Sequence, residues 1–203
     1  MIRLTVVLSL FLPTFLYANS LPTMFTVTGL AVDDTLNVRS APNMTGDIIA
    51  TLPQGTPVEV TAFSQNNRWA RINVSERTGW IARQFLSTPA RASWPPETLT
   101  CHGTEPFWSL NFNSAGEEIT VTFNQMAHIP RNLQASAWDN SENRTDRHSI
   151  HATERDATNR VTAIVAHETC TDGMSDRVYG LTIDLLVDRP MARHLSGCCS
   201  LQP

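Results

Sequence analysis

Four cysteines are the residues of this chain with the widest choice of chemistry. Cys101 and Cys170 stand alone, whereas Cys198 and Cys199 are adjacent. Cysteine side chains form disulfides, ligate zinc or, as thiolates, act as nucleophiles. His102 follows the first of them directly, so a histidine is available for the last two roles. Crosslinking, metal binding and thiol catalysis are therefore the three chemistries to weigh.

The number and spacing of the cysteines favour disulfides. An even number in an exported chain is typical of a disulfide framework. Adjacent residues of an extended strand point to opposite faces, so Cys198 and Cys199 cannot readily bond to each other. We therefore predict that Cys101 and Cys170 each bond to one member of the adjacent pair, and the sequence leaves open which one. Each bond closes a long loop and stabilises the fold by about 3–4 kcal/mol.

The metal and nucleophile alternatives fit the sequence less well. His102, His167, Cys170 and His194 would supply a zinc site, but their spacing repeats no CxxC or HxxxH pattern. The segment HLSGCCS is similar to the SHGC strand of wall-crosslinking cysteine transpeptidases, but here the histidine precedes the Ser-Gly-Cys run instead of following the serine. A lone carboxylate, Glu105, has no acidic partner for acid–base work. We expect no catalytic residue, no metal, no cofactor and no enzymatic activity.

The beginning of the chain predicts export. Residues 1–18 contain Arg3, an apolar run from Leu4 to Leu16, and a small residue at Ala18, as in a cleavable signal peptide. The run is shorter than the roughly 20 apolar residues that span a bilayer. The prediction is a periplasmic or secreted bacterial protein without stable membrane insertion after cleavage.

The charge of the chain argues against nucleic acid as a partner. There are 15 basic and 19 acidic residues, for a net charge of −4. Nucleic-acid affinity depends on neutralising phosphates with lysine and arginine, which an acidic chain does poorly.

Short alternating runs divide the rest of the chain into two all-β domains. Residues 25–87 contain five or six half-buried strands separated by turns, with Gly55 and Gly79 where turns favour φ > 0. Residues 88–98 are proline-rich and predict a linker. Residues 99–203 predict an antiparallel β-barrel or β-sandwich stapled by disulfides, in which residues 132–147 form a short helix or a long loop.

Four motifs in the first half carry a resemblance. LNVRSAPN, GTPVEV, NRWARI and TGWIARQFL follow one another at intervals that closely resemble the bacterial SH3 domain. The resemblance implies a small barrel that binds cell-wall peptide or another envelope protein. The residues at the matching groove positions are Asn37, Arg39, Asn66, Trp69 and Trp80. The alternative is structural, with the arginine bracing its loop and the tryptophans filling the core.

The second half resembles a family of uncharacterised bacterial envelope proteins and lipoproteins with EPFW near the start and GCC near the end. Here the motifs are CHGTEPFWSL and SGCC, and Gly180 stands where the family has a proline. The resemblance implies no activity. Together the two halves predict a non-catalytic binding or scaffolding protein. The alternatives are a lysozyme-inhibitor-like or envelope-stress sensor protein and a cysteine-dependent wall-modifying enzyme.

Overall fold

A computed structural model describes residues 21–87, 94–114, 119–124, 132–154, 160–188 and 192–201. The predicted signal peptide, residues 1–18, lies outside these ranges. The described chain is all-β, as predicted. The first-domain strands are β1 (Thr23–Thr26), β2 (Thr35–Arg39), β3 (Ile48–Pro53), β4 (Pro57–Val60), β5 (Ala62–Phe63), β6 (Trp69–Val74) and β7 (Arg77–Ala82). A 3₁₀ turn at Arg83–Phe85 follows them.

The first domain is a small SH3-type barrel built from two sheets. Five strands pair in the order β3-β2-β7-β6-β5, and β1 pairs with β4. Their inward side chains share one apolar core, because alternate residues of each strand point to the same face. The buried members of this core are Phe25, Val27, Leu36, Val38, Val58, Val60, Ala70, Ile72 and Ile81.

The two glycines of this domain have different roles. Gly55 has φ +84° in a turn, as predicted. The prediction for Gly79 is wrong, because this residue lies inside β7 and not in a turn. A Cβ atom there would lie 2.3 Å from Val38 Cγ1, so close packing requires the glycine. The turn itself lies earlier, where Ser75 takes φ +50°.

The second domain is a closed antiparallel barrel of eight principal strands. They are β8 (Thr98–Thr104), β9 (Phe107–Asn113), β10 (Ile119–Asn124), β11 (Asn132–Ala135), β13 (Arg147–Thr153), β14 (Arg160–Ala166), β15 (Leu181–Val187) and β16 (Arg193–Ser200). A short strand, β12 (Asp139–Asn140), adds to β13. Each principal strand pairs with its sequence neighbour, β11 pairs with β13, and β16 returns to β8. The sheet therefore has no free edge among these strands.

One expectation about this barrel is wrong. Residues 132–147 contain β11, β12 and the start of β13 in place of a helix or a single loop. Leu133 is 2% exposed in the core, and its strand completes the ring, a role that the polar local sequence does not indicate. Leu186 is 40% exposed, because it takes an outward position of β15.

The seam between β8 and β16 joins the two distant cysteine motifs. Cys101 and Cys199 are directly opposed and form a disulfide in the barrel interior. Gly103 and Gly197 follow on the same inward face, under the buried ring of Trp108. A Cβ atom on Gly197 would lie 2.1 Å from the carbonyl oxygen of His102. The EPFW and GCC motifs therefore meet as one packing unit that closes the barrel.

A loop from Cys170 to Tyr179, the strap, connects the second domain to the first. Backbone hydrogen bonds between Cys170 and Tyr179 close its base, and a Cys170–Cys198 disulfide fixes that base to β16. Next to this base, the Asn73 side chain exchanges two 3.1 Å hydrogen bonds with the backbone of Val178. The sequence predicts one bond from Cys101 and one from Cys170 to the adjacent cysteines, and the two disulfides confirm that prediction.

Other interdomain contacts lie near the chain ends. The carbonyl oxygen of Leu21 is 2.9 Å from His167 Nδ1. Pro22 packs on Gly180, where a Cβ atom would lie 2.9 Å from the proline ring. This contact gives a physical reason for glycine at a position where the resemblance predicts proline. The carboxylate of Glu59 accepts a 3.0 Å hydrogen bond from the Leu201 backbone N–H.

Candidate functional site

A row of side chains crosses the outward face of the five-stranded sheet. Cross-strand partners run from Ala62 to Arg71, then Trp80, Arg39 and Ile48, one residue from each strand in turn. Directly opposed residues of neighbouring strands share a face and lie close together. Trp80 therefore stands between two arginines. We call Arg71, Trp80 and Arg39 the arginine–tryptophan row.

Hydrogen bonds hold both arginines without neutralising them. Arg39 Nη1 donates a 2.9 Å hydrogen bond to the carbonyl oxygen of Gly46. Arg71 Nε donates a 3.0 Å hydrogen bond to Thr61 Oγ1. The ion pairs of the described ranges are formed by other residues, so within those ranges neither guanidinium has a carboxylate partner. A guanidinium has five N–H donors, so most of them remain for a ligand.

Partial burial reduces the solvation of the positive charge on Arg71. Burial lowers the pKa of Arg71 from its ordinary value, because the charged form loses solvation. The side chain nevertheless stays charged at neutral pH, since the ordinary pKa of arginine lies far above neutral. A partly desolvated cation without an anionic partner is a favourable place for an incoming carboxylate.

The other predicted groove residues occupy different positions. Asn37 lies on β2 two residues before Arg39, on the same outward side and partly buried. Asn66 lies in the turn before β6, where its Oδ1 accepts hydrogen bonds from Ser64 Oγ and the Arg68 N–H. Trp69 is 8% exposed, so it offers little surface to a ligand. The structure thus pairs Arg39 with Trp80, places Asn37 two residues from Arg39 on the same face, and sets the other two at the β6 end.

The row has exposed apolar side chains on one side and the strap of the second domain on another. Ile48 is 54% exposed at the end of the row, and Met44 is 72% exposed in the loop that Arg39 braces. The next outward pair along the β6–β7 hairpin, Asn73 and Thr78, contacts the strap. A ligand on the row would therefore lie beside the second domain.

Sequence reasoning missed Arg71. It belongs to the NRWARI motif, where it alternates with the buried Ala70 and Ile72. That alternation indicates that the side chain points outward, and this signal was present in the sequence. The proximity of Arg71 to Trp80 and Arg39 depends on strand order and register, which the motif does not give.

The second domain has a polar groove of about 370 Å³ on its outer face. It lies between β8, β15 and β16 and is walled by residues 168–172. His102 lines it with Nε2 4.0 Å from Asp172 Oδ2, and burial lowers the pKa of this imidazole. Asp172 accepts hydrogen bonds from the Met174 and Ser175 N–H groups and from Ser175 Oγ. Its own turn therefore satisfies the carboxylate.

At the edge of the groove, a serine, an acid and a histidine lie close together, but their hydrogen bonds are unlike those of a catalytic triad. Ser196 Oγ donates to Asp184 Oδ1 at 3.0 Å, and His194 Nε2 lies 2.9 Å from the same oxygen. The carboxylate oxygen is the shared partner of both groups, and among the described residues no hydrogen bond joins the imidazole to the serine hydroxyl, as a catalytic triad requires. The arrangement stabilises the outer face of β15 and β16.

The residues of the alternative zinc and thiol sites are dispersed or oxidised. Cys198 and Cys199 are both in disulfides, so neither offers a thiolate. His167 bonds to the carbonyl oxygen of Leu21, away from His102 and His194. Over the described ranges, no group of three or more histidine, cysteine or acidic side chains is placed to hold a metal ion. Glu105 is exposed in the β8–β9 turn.

Comparison with known proteins supports the assignment of the first domain. Residues 34–87 match the Bacterial SH3 domain family. The Uncharacterized protein YfhK of Bacillus subtilis (strain 168) is 32% identical over 87 residues, which are 42% of this chain and 50% of that protein. The chain thus spans about half the length of this curated relative. No solved structure matches the chain. The resemblance of the second half stays a prediction, since the family match ends at residue 87.

Two further findings concern location. Two disulfides fit a protein that folds outside the reducing cytoplasm. Within the described residues, there is no helix with the length and apolar character needed to cross a membrane.

Proposed function

We propose that this protein is a non-catalytic binding or scaffolding protein of the bacterial periplasm or of the secreted fraction. Its SH3-type domain contacts cell-wall peptide or an envelope protein. The chain has a domain boundary in the proline-rich segment of residues 88–98, and residues 1–18 direct export. The second domain supports and orients the first through the strap.

The observation that carries this proposal is the arginine–tryptophan row. An outward-facing tryptophan beside two unpaired guanidiniums is not required by the packing of the barrel. Tryptophan and arginine are enriched at binding hot spots, because they combine large contact area with directed hydrogen bonds. Asn37 extends the site along β2.

Cosedimentation with purified peptidoglycan sacculi tests the proposal. We expect the exported, purified protein to sediment with sacculi, and Arg39→Ala or Trp80→Ala to weaken this about tenfold or more. Arg68→Ala is the matched control, because Arg68 is an exposed arginine in the neighbouring turn. Circular dichroism must show that each variant is folded.

Two results would contradict the proposal. One is a parent protein that stays in the supernatant with sacculi, and the other is a pair of folded variants that bind as the parent does. A parallel column of immobilised lysozyme separates the inhibitor alternative. Retention there, without binding to sacculi, would assign the protein to that alternative class.

A further inference from the structure

We infer that the arginine–tryptophan row selects a peptide with two carboxylates, with Arg71 as a specificity-determining residue alongside Arg39. This inference rests on the proposed binding function and names the chemistry of its ligand. The central fact is the register, which places Arg71 and Arg39 directly on either side of Trp80.

The spacing of the two guanidiniums suits an extended peptide. The arginines lie on β6 and β2, with β7 between them. Neighbouring strands are about 4.8 Å apart, so the two backbone positions are separated by about 10 Å. Alternate side chains of an extended peptide are about 7 Å apart and share one face. The reach of two glutamate side chains covers the remaining distance.

The donor geometry supports two carboxylates over one. Each arginine uses a single identified N–H, Arg39 on Gly46 and Arg71 on Thr61. Each guanidinium therefore keeps enough N–H groups for a bidentate contact with a carboxylate. Neither arginine stacks on the indole: the cation–π contact found in the described ranges joins Arg83 to Phe63. Both guanidiniums are thus oriented by hydrogen bonds and available to a ligand.

The rest of the row provides contact area for the peptide between its charges. Trp80 offers a partly buried aromatic surface, and Ile48 continues it at the far end. The chain as a whole is acidic, with a net charge of −4. A pair of unneutralised cations on such a chain gives the row a local preference for anions that the overall charge does not have.

Titration calorimetry with a matched pair of peptides tests the inference on the full exported protein. One blocked pentapeptide has glutamate at its second and fourth positions, and its twin has glutamine there. We expect the glutamate peptide to bind at least tenfold more tightly, because a charge-assisted hydrogen bond is roughly twice as strong as a neutral one. The difference should shrink as salt is added.

Variants then assign the effect to the row. Arg71→Gln and Arg39→Gln should each reduce affinity for the glutamate peptide about tenfold or more, with little effect on the glutamine peptide. Arg68→Gln is the control and should bind both peptides as the parent does. Arg71→Lys keeps the charge but loses the fork, so an intermediate affinity supports bidentate recognition.

The inference is overturned if the parent protein binds the two peptides equally, or binds neither. It is also overturned if folded Arg71→Gln behaves like Arg68→Gln. The peptide comparison uses the parent protein, so it gives an answer even if Arg71→Gln fails to fold. Sacculus binding with no peptide preference would remove this inference and leave the proposed function standing. A peptide preference without sacculus binding would contradict the proposed function and leave this inference standing.

Discussion

The two domains use their distinctive residues in opposite ways. In the second domain, the most conspicuous motifs have a structural role. Their residues meet inside the barrel seam, and they are Cys101, Cys199, Gly103, Gly197 and Trp108. In the first domain, the arginine–tryptophan row faces outward and is not needed to fill the core. A dense motif of cysteine and glycine therefore marks where the barrel of the second domain closes, and a sparse pattern of outward residues marks the site of the proposed binding function.

The largest expected effect comes from removing the inner disulfide. Cys101 and Cys199 are 98 residues apart and Cys170 and Cys198 are 28 apart. Loop-closure entropy then gives about 4.7 and about 3.6 kcal/mol respectively. The Cys101→Ala/Cys199→Ala variant should lose more stability than Cys170→Ala/Cys198→Ala, measured as free energy of unfolding in urea. A larger loss of stability on removing the Cys170–Cys198 disulfide would show that the seam is not what closes the barrel.

The second effect is a pH dependence at the interface between the two domains. Glu59 is 7% exposed, and burial raises its pKa from 4.5 to about 7, opposed by the hydrogen bond from Leu201. The folded state therefore holds this proton more tightly than the unfolded state. The stability from this group is full below about pH 4.5 and is lost as pH rises through about 7, a change of about 3 kcal/mol.

Glu59→Gln tests this assignment, because glutamine keeps the size of the side chain and cannot ionise. Urea unfolding of the variant between pH 4.5 and 8 should lack the decline seen in the parent. His148 is a useful contrast in the second domain. Burial lowers its pKa to about 4, so its contribution is present above about 6.5 and is lost as pH falls through about 4. If the stability of the parent protein and that of Glu59→Gln declined equally as pH rises, Glu59 would be ruled out as the source of the decline.

A third prediction compares one glycine from each domain. Gly197→Ala would bring a Cβ atom to 2.1 Å from the His102 carbonyl oxygen, and Gly79→Ala to 2.3 Å from Val38 Cγ1. The His102 backbone, which lies in a seam closed by a disulfide, can move away from a clash less easily than the Val38 side chain can. We expect a loss of about 3 kcal/mol for Gly197→Ala and about 1–2 kcal/mol for Gly79→Ala. Thermal unfolding monitored by circular dichroism measures both, and a reversed order would mean that the first barrel is the more rigid one.

The smallest effect concerns the contact between the domains. Asn73→Ala removes two hydrogen bonds to Val178 and should cost about 1–2 kcal/mol. Glu76→Gln weakens an exposed ion pair with Arg177 and should change stability by less than about 0.5 kcal/mol. Calorimetry should show the two domains unfolding less cooperatively in Asn73→Ala but not in Glu76→Gln. Unchanged coupling in Asn73→Ala would mean that the two hydrogen bonds to Val178 do not couple the domains.

Much of each domain could be predicted locally, and the errors have a common origin. In the run Leu181–Val187, every second residue is buried, as the two-residue period of a strand predicts from the sequence alone. The polar segment before His148 was misjudged, because β11 is a strand only through its pairing with β10 and β13. In the candidate site, Arg39 and Trp80 came from the family resemblance. Arg71 was missed because its importance comes from neighbours on other strands.

The sequence by itself determined which face each side chain takes, because the two-residue period of a strand is a local property. It therefore separated Cys198 from Cys199 and set Arg71 against Ala70 and Ile72. Only the tertiary structure decided which residues meet across strands, since strand order and register depend on contacts distant in the chain. That step assigned Cys101 to Cys199, and it placed Trp80 between two arginines.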